Sequence, residues 1–198
     1  MEWIKDYNLI LASGSPRRYE LLKKSGFRFK VFNIKVDEKY PEYIGVEEVA
    51  EYLAGKKLKE SIYNMDLADR DIVITADTVV ISNGNLIGKP ESLENAKIIL
   101  ESLSGISHKV ITGVCFGNKK YKICFSSVSI VHFDNFEPDE IEYYIKNFNV
   151  LDKAGSYGIQ DWIGICKIKR IEGSYTNIMG FPTQLFYEKL KEFISKLN

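Results

Sequence analysis

The sequence predicts an α/β protein built on a mixed, twisted sheet with flanking helices, and two observations carry that prediction. Short apolar strands alternate with helices through the N-terminal part of the chain, the pattern of parallel pairing through crossovers. Two long β-rich runs, residues 109–117 and 121–133, lie on either side of Asn118-Lys119-Lys120 and read as an antiparallel pair, so the sheet is mixed. At 198 residues, 45% hydrophobic and 27% charged, the chain can bury one substantial core or two small lobes sharing a cleft. The organisation expected is a single elongated domain over 1–198, with two lobes around a central cleft.

The elements follow in order. Leu9-Ile10-Leu11 is a short apolar strand that runs into Ala12-Ser13-Gly14-Ser15-Pro16-Arg17-Arg18. Ser15 suits an N-cap and Pro16 the first helical position, where its missing N–H costs nothing. Gly26 is placed to stop that helix. Residues 27–32 alternate Phe27, Phe29 and Val31 with Arg28 and Lys30, the period of a half-buried strand. A helix over 46–63 would bury Val49, Tyr52, Leu53 and Leu58 and turn Glu51, Lys56, Lys59 and Glu60 to water. Residues 71–76 form a continuous apolar strand that ends at Asp77, and a hairpin turns at Asn83-Gly84. Gly88-Lys89-Pro90 leads to a helix over 93–103, and the antiparallel pair follows. Pro138 opens a helix to about 147, residues 164–171 read as a strand, and Pro182 opens a final helix with Leu185, Phe186, Leu190, Phe193, Ile194 and Leu197 at helical spacing.

Composition narrows the function classes. Lys+Arg and Asp+Glu each number 27, so no global basic field advertises nucleic acid or an anionic membrane as partner. No apolar run approaches the roughly 20 residues of a membrane span, and the N-terminus lacks the apolar core of a signal peptide. A cytoplasmic location is expected. Cys115, Cys124 and Cys166 are odd in number, lie in apolar strand-like contexts and lack C-x-x-C spacing, so neither a disulfide framework nor a zinc site is expected. His108 and His132 each stand in a β-like run without a partner nearby in sequence, which favours satisfied or exposed strand histidines over catalytic ones.

Three segments could carry chemistry. The strand-to-helix turn at 13–18 offers helix amides, the positive dipole end and two guanidinium groups, which together suit a phosphate. The same residues also fit an ordinary connection with two solvated arginines. Asp77, followed by Thr78 at the end of a buried strand, stands where α/β proteins place ligand-facing groups and could hold a metal or a water; the alternative is a turn-forming Asp that caps its own backbone. Lys89, held between Gly88 and Pro90 just past the hairpin, returns toward the same end of the sheet. Residues 152–161 and 173–177 are loops with small residues, able to approach a ligand with their backbone or to serve as packed turns.

The motifs in order resemble the Maf proteins, nucleoside triphosphate pyrophosphatases that cut between the α- and β-phosphates. Leu11-Ala12-Ser13-Gly14-Ser15-Pro16-Arg17-Arg18 resembles the family's N-terminal signature, Asp37-Glu38 its acidic pair, and Leu53-Ala54-Gly55-Lys56-Lys57 its Leu-Ala-x-x-Lys motif. Ala76-Asp77-Thr78-Val79-Val80, Gly88-Lys89-Pro90, Thr112-Gly113-Val114, Lys153-Ala154-Gly155-Ser156-Tyr157-Gly158-Ile159-Gln160 and the block from Gly173 to Pro182 complete the set. Leu58 replaces the usual alanine after the helix lysine, and Asp161-Trp162 replaces a small, Gly-containing step, departures that touch the rim of the base pocket.

The resemblance implies a Maf/ITPase-like fold and a divalent cation, Mg²⁺ or Mn²⁺. It implies Asp77 as catalytic carboxylate and general base, with Glu38 as metal support beside it. A nucleoside triphosphate carries roughly four negative charges, which Arg17, Arg18, Lys57 and Lys89 would balance, with Ser13 and Ser15 in the phosphate-binding turn. Arg18, Thr78 and Gln160 resemble the specificity set of the branch acting on dTTP and UTP. A glutamine amide can accept from N3–H and donate to O4 of uracil or thymine. Two further readings stand beside this one: the same chemistry on 7-methyl-GTP, and a non-enzymatic nucleotide-binding regulator of cell division. A homodimer is a family-level expectation.

Overall fold

In a computed structural model describing residues 1–197, seven strands form one sheet in the order β2-β1-β3-β5-β6-β7, with β4 paired to β3. The strands are β1 (Asn8–Leu11), β2 (Phe29–Val31), β3 (Asp71–Ser82), β4 (Asn85–Ile87), β5 (Ser107–Gly117), β6 (Lys122–Phe133) and β7 (Ile168–Glu172). The helices are α1 (Pro16–Lys24), α2 (Val49–Asn64), α3 (Leu93–Leu103), α4 (Pro138–Asn147), α5 (Trp162–Lys167), α6 (Tyr175–Ile178) and α7 (Thr183–Leu197). β1 pairs in parallel with β2 and β3, whereas β4 and β7 pair antiparallel, so the sheet is mixed, as expected. The chain gathers into two compact units. One comprises Met1–Asp77, Thr112–Ser127 and Gly180–Asn198, the other Thr78–Ile111 and Val128–Met179.

In the first unit, α1 ends as its sequence specifies: Phe27 N–H donates to Leu22 O and Gly26 N–H to Lys23 O, the paired bonds of a Schellman stop. β2 is shorter than the alternation of 27–32 implies. Only Phe29, Lys30 and Val31 find partners on the neighbouring strand; Phe27 is buried outside the strand, while Val31 is 46% exposed within it. α2 starts three residues later than its pattern suggests and buries Val49, Leu53 and Leu58, while Tyr52 remains exposed. Its core partners are Ile10, Ala12, Leu67, Val73 and Cys115. α7 sends Phe186 and Phe193 edge-on against Phe116.

Two elements of this unit fix α2. Thr75 places its hydroxyl 2.8 Å from Ala54 O and 3.2 Å from Cys115 O, so a buried strand residue bonds helix and neighbouring strand at once. At Gly113 the helix backbone passes so close that an added Cβ would lie 2.3 Å from Glu51 N and 2.4 Å from Ala50 C. Gly113→Ala must push α2 away, and overpacking of this kind costs about 1–3 kcal/mol. The variant should unfold at lower denaturant than wild type; an unchanged midpoint would show that the contact yields without cost.

Three expectations are corrected. The strand at 71–76 does not end at Asp77: β3 continues to Ser82, because the β-branched run Thr78-Val79-Val80-Ile81 keeps pairing. Asp77 therefore lies inside a strand, and its backbone is committed to the sheet rather than to a self-capping turn. Residues 164–167 are helical, and the strand begins only at Ile168; a short apolar run does not by itself distinguish strand from helix. Cys115 and Cys124 form a disulfide across β5 and β6, with their Cα atoms 4.1 Å apart, where no disulfide was expected.

The second unit packs Val80, Leu100, Leu103, Val131, Phe133, Ile141 and Tyr144 into a separate core. The β3–β4 turn has Asn83 at φ 50 and Gly84 at φ 77, the left-handed pair of a type I′ hairpin. Ser92 caps α3 by accepting from Asn95 N–H. Glu137 and Glu140 form a capping box on α4. The loop at 173–177 carries one helical turn, α6, capped by Ser174.

Candidate functional site

Lys57 organises the first unit's polar cluster. It projects from α2 so that Nζ lies 2.5 Å from Asp77 Oδ1 and 2.7 Å from Glu38 Oε1. Asp77 and Lys57 are largely buried, with side chains 12% and 15% exposed, whereas Glu38 is 54% exposed. Glu38 comes from the irregular segment between β2 and α2. The placement of Lys57 follows from the two anchors of α2, since Ala54, bonded by Thr75, stands one turn before it. Two carboxylates thus converge on one ammonium.

The turn before α1 contributes the arginines. Ser15 is the N-cap residue by backbone conformation, but its side chain makes no cap bond. Ser13 Oγ instead accepts from Ser15 N–H at 3.2 Å and from Arg18 Nη1 at 3.4 Å. Arg18 Nε also donates to Gly180 O at 2.9 Å, which fixes the guanidinium. Burial lowers the pKa of Arg18, Asp77 raises it again, Arg17 lowers it and Glu38 raises it. Arg18 therefore feels the charges of Asp77, Arg17 and Glu38.

Thr78, Lys89 and Gln160 belong to the second unit. Thr78 follows Asp77 directly in β3 and is half-buried. Lys89 is exposed on the segment between β4 and α3. That segment is tied to the next loop by Gly155 N–H, which donates to Gly88 O at 3.2 Å. Gln160 stands in the turn before α5, and its Oε1 is buried without a hydrogen-bond partner.

These motifs extend over the comparison with known proteins. Residues 8–193 match the family model described as Maf-like protein. The chain belongs to the Maf family. A relative from Christiangramia forsetii named dTTP/UTP pyrophosphatase is 41% identical over 194 residues, 98% of each chain. Another of that name, from Porphyromonas gingivalis, is 43% identical over 191 residues, 96% of each chain. A third, from Bacteroides fragilis, is 42% identical over 94% of this chain and 96% of its own. Within this Maf chain, two contributors to the frame around Lys57 carry weak sequence signals. Thr75 is a lone hydroxyl in an apolar strand, and Gly113 sits in a β-run.

The histidines belong to the second unit. His132 bonds Ser107 Oγ and Glu172 on the neighbouring strands. His108 is buried with Nε2 2.7 Å from Tyr157 Oη, and burial, with a smaller contribution from His132, pushes its pKa down from 6.5 to about 4. A pKa depressed by folding stabilises the protein fully above the unfolded value and is lost as pH falls through the folded one. Protonation of His108 should therefore cost folding on the order of 3 kcal/mol, incurred as pH falls from about 6.5 to about 4. The unfolding free energy of His108→Gln, measured by denaturant titration, should fall less steeply across that window. Parallel curves for variant and wild type would contradict the assignment.

Proposed function

We propose that the whole chain acts as one metal-dependent nucleoside triphosphate pyrophosphatase on dTTP and UTP, releasing a nucleoside monophosphate and pyrophosphate. The observation that carries this reading is the Lys57 ammonium held between Asp77 and Glu38, in a chain whose relatives are named for that reaction over nearly their full length.

Each residue has a chemical task in this reading. The guanidinium groups of Arg17 and Arg18, with the turn at Ser13 and Ser15 and the positive end of α1, bind the phosphates. Lys89 adds a cation to the same charge. Asp77 accepts the proton of the attacking water while the bond between the α- and β-phosphates breaks and pyrophosphate leaves. Lys57, bonded to Asp77 Oδ1, keeps that carboxylate oriented toward the water. Arg18, Thr78 and Gln160 set the base preference, with Gln160 Oε1 accepting from N3–H and Nε2 donating to O4.

The donor set suits a divalent cation. Mg²⁺ is commonly held by one or two carboxylates together with substrate phosphate oxygens, and Asp77 and Glu38 supply two carboxylates converging on one cation. Among the described residues no cluster of three or more His, Cys, Asp or Glu forms an all-protein cage. A cation held by Asp77 and Glu38 would, when bound, supply charge neutralisation on the phosphates and polarise the bond to be broken.

A panel of dTTP, UTP, CTP, GTP and 7-methyl-GTP with pyrophosphate detection tests the reading. The fastest release is expected from dTTP and UTP. Preference for 7-methyl-GTP would move the chain to another substrate, and no turnover with any of them would point to a non-enzymatic nucleotide binder.

A further inference from the structure

The turn that carries Gln160 is held at both ends by one phenol oxygen. Asp161 N–H donates to Gly158 O at 3.0 Å, closing a four-residue turn in which Gln160 is the third position. Tyr144 Oη accepts from Gly158 N–H at 3.0 Å and donates to Asp161 Oδ2 at 2.9 Å. Tyr144 is fully buried on α4. Burial is also the main reason that its pKa is raised, so the hydroxyl keeps the proton it donates.

A buried ammonium completes the arrangement. Lys153 Nζ lies 3.4 Å from Asp161 Oδ2 and 3.1 Å from Asp152 Oδ1, and it also donates to Asn149 O. The Lys153 side chain is 9% exposed and that of Asp161 16%, a desolvated pair whose geometry is costly to disturb. Gly158 leaves the room this needs: a Cβ there would lie 2.4 Å from Asp161 Oδ2 and 2.9 Å from Gln160 Nε2. Beside these satisfied groups, Gln160 Oε1 is a buried acceptor with no hydrogen-bond partner among the described residues. Buried polar groups are ordinarily paired, so an acceptor kept vacant in a braced turn is one prepared for a ligand's donor.

We propose that Tyr144, Asp161 and Lys153 are positioning residues that hold Gln160 ready for the N3–H of a pyrimidine, an inference that rests on Gln160 being the base reader. Tyr144 is the centre of the set, because it fixes the backbone before Gln160 and the side chain after it. Asp161 and Lys153 act through that centre. Loosening the turn costs the hydrogen bonds to uracil or thymine but leaves phosphate contacts and chemistry in place, so the loss belongs in KM for pyrimidines.

The test compares Tyr144→Phe, Asp161→Ala and Asp161→Asn with wild type in the ratio of kcat/KM for UTP to kcat/KM for GTP. The ratio cancels the concentration of active enzyme, so a variant that merely unfolds more easily leaves it unchanged. Tyr144→Phe should lower the ratio about tenfold, through KM for UTP, with kcat within about threefold of wild type. Asp161→Ala should lower it similarly, and Asp161→Asn, which keeps an acceptor for Tyr144, should retain most of it. The double variant Tyr144→Phe/Asp161→Ala should be little worse than either single one, as for residues acting as a unit. If Tyr144→Phe does not fold, Asp161→Ala decides. An unchanged ratio in folded variants overturns the inference while wild-type turnover of UTP upholds the reading beneath it. Failure of wild type to hydrolyse UTP, together with failure to bind UMP by calorimetry, overturns both.

Discussion

Asp77→Asn is expected to lower kcat for UTP at least about a hundredfold, the scale of losing a general base, while the protein stays folded. The substitution preserves size and leaves an amide oxygen that can still accept from Lys57, so the packing around the strand interior is retained. What is lost is the negative charge. Without it the side chain cannot take a proton from water, and one of the two carboxylates that meet on Lys57 loses its charge. Steady-state turnover, read beside the thermal unfolding of the same sample, checks this. A folded variant turning over near the wild-type rate would remove Asp77 from the chemistry.

Gln160→Glu is expected to reduce kcat/KM for UTP and dTTP by about tenfold or more. The carboxylate still accepts from N3–H but has no donor for O4, and it sets two oxygens against each other. A lost buried partner costs roughly 1–3 kcal/mol, and more where a charge is involved. Guanine-type substrates should lose less or gain, because adjacent N1–H and N2–H donors can both reach a carboxylate. Equal proportional losses on UTP and GTP would show that Gln160 supports its turn and does not read the base.

Local chemistry made much of this protein legible in the sequence. The Asn83-Gly84 hairpin, α3 from Leu93 to Leu103 and α4 from Pro138 to Asn147 lie where turn residues, caps and prolines place them, since each is fixed by contacts within a few positions. The boundaries that moved depend on distant partners. Asp77 looks like the end of a strand only because a carboxylate interrupts an apolar run. The sheet carries on through it because the hydroxyl and β-branched residues beyond continue to pair. Residues 163–166, Ile-Gly-Ile-Cys, fit either period, and α5 is decided by its close packing at Gly164 against the Ile159 backbone.

The disulfide shows how a register can hide. Cys115 lies three residues before Asn118 and Cys124 three residues after Tyr121, and Asn118 N–H bonds Tyr121 O. That turn sets the two cysteines opposite each other on β5 and β6, a consequence available from the hairpin but obscured by an odd cysteine count. The candidate site divides in the same way. The SGSPRR turn, Asp77 and Lys89 stand out as residue types in revealing contexts, whereas Glu38 and Lys57 owe their prominence to the family resemblance. Their meeting on one ammonium needs α2 to be held by Thr75 and Gly113, contacts that join positions far apart in the chain. Tyr144 is the least legible, because an amphipathic helix buries its ring for packing and nothing local announces what the hydroxyl will bond.

The central claim is the bond that is cut, and phosphorus NMR of a UTP reaction with Mg²⁺ reads it directly. The account predicts UMP and pyrophosphate appearing in equal amounts, with no UDP at any time and with product from the Asp77→Asn protein at the same concentration forming at least about a hundredfold more slowly. UDP and inorganic phosphate as the first products, or UMP and pyrophosphate formed equally fast by the Asp77→Asn protein, would contradict it.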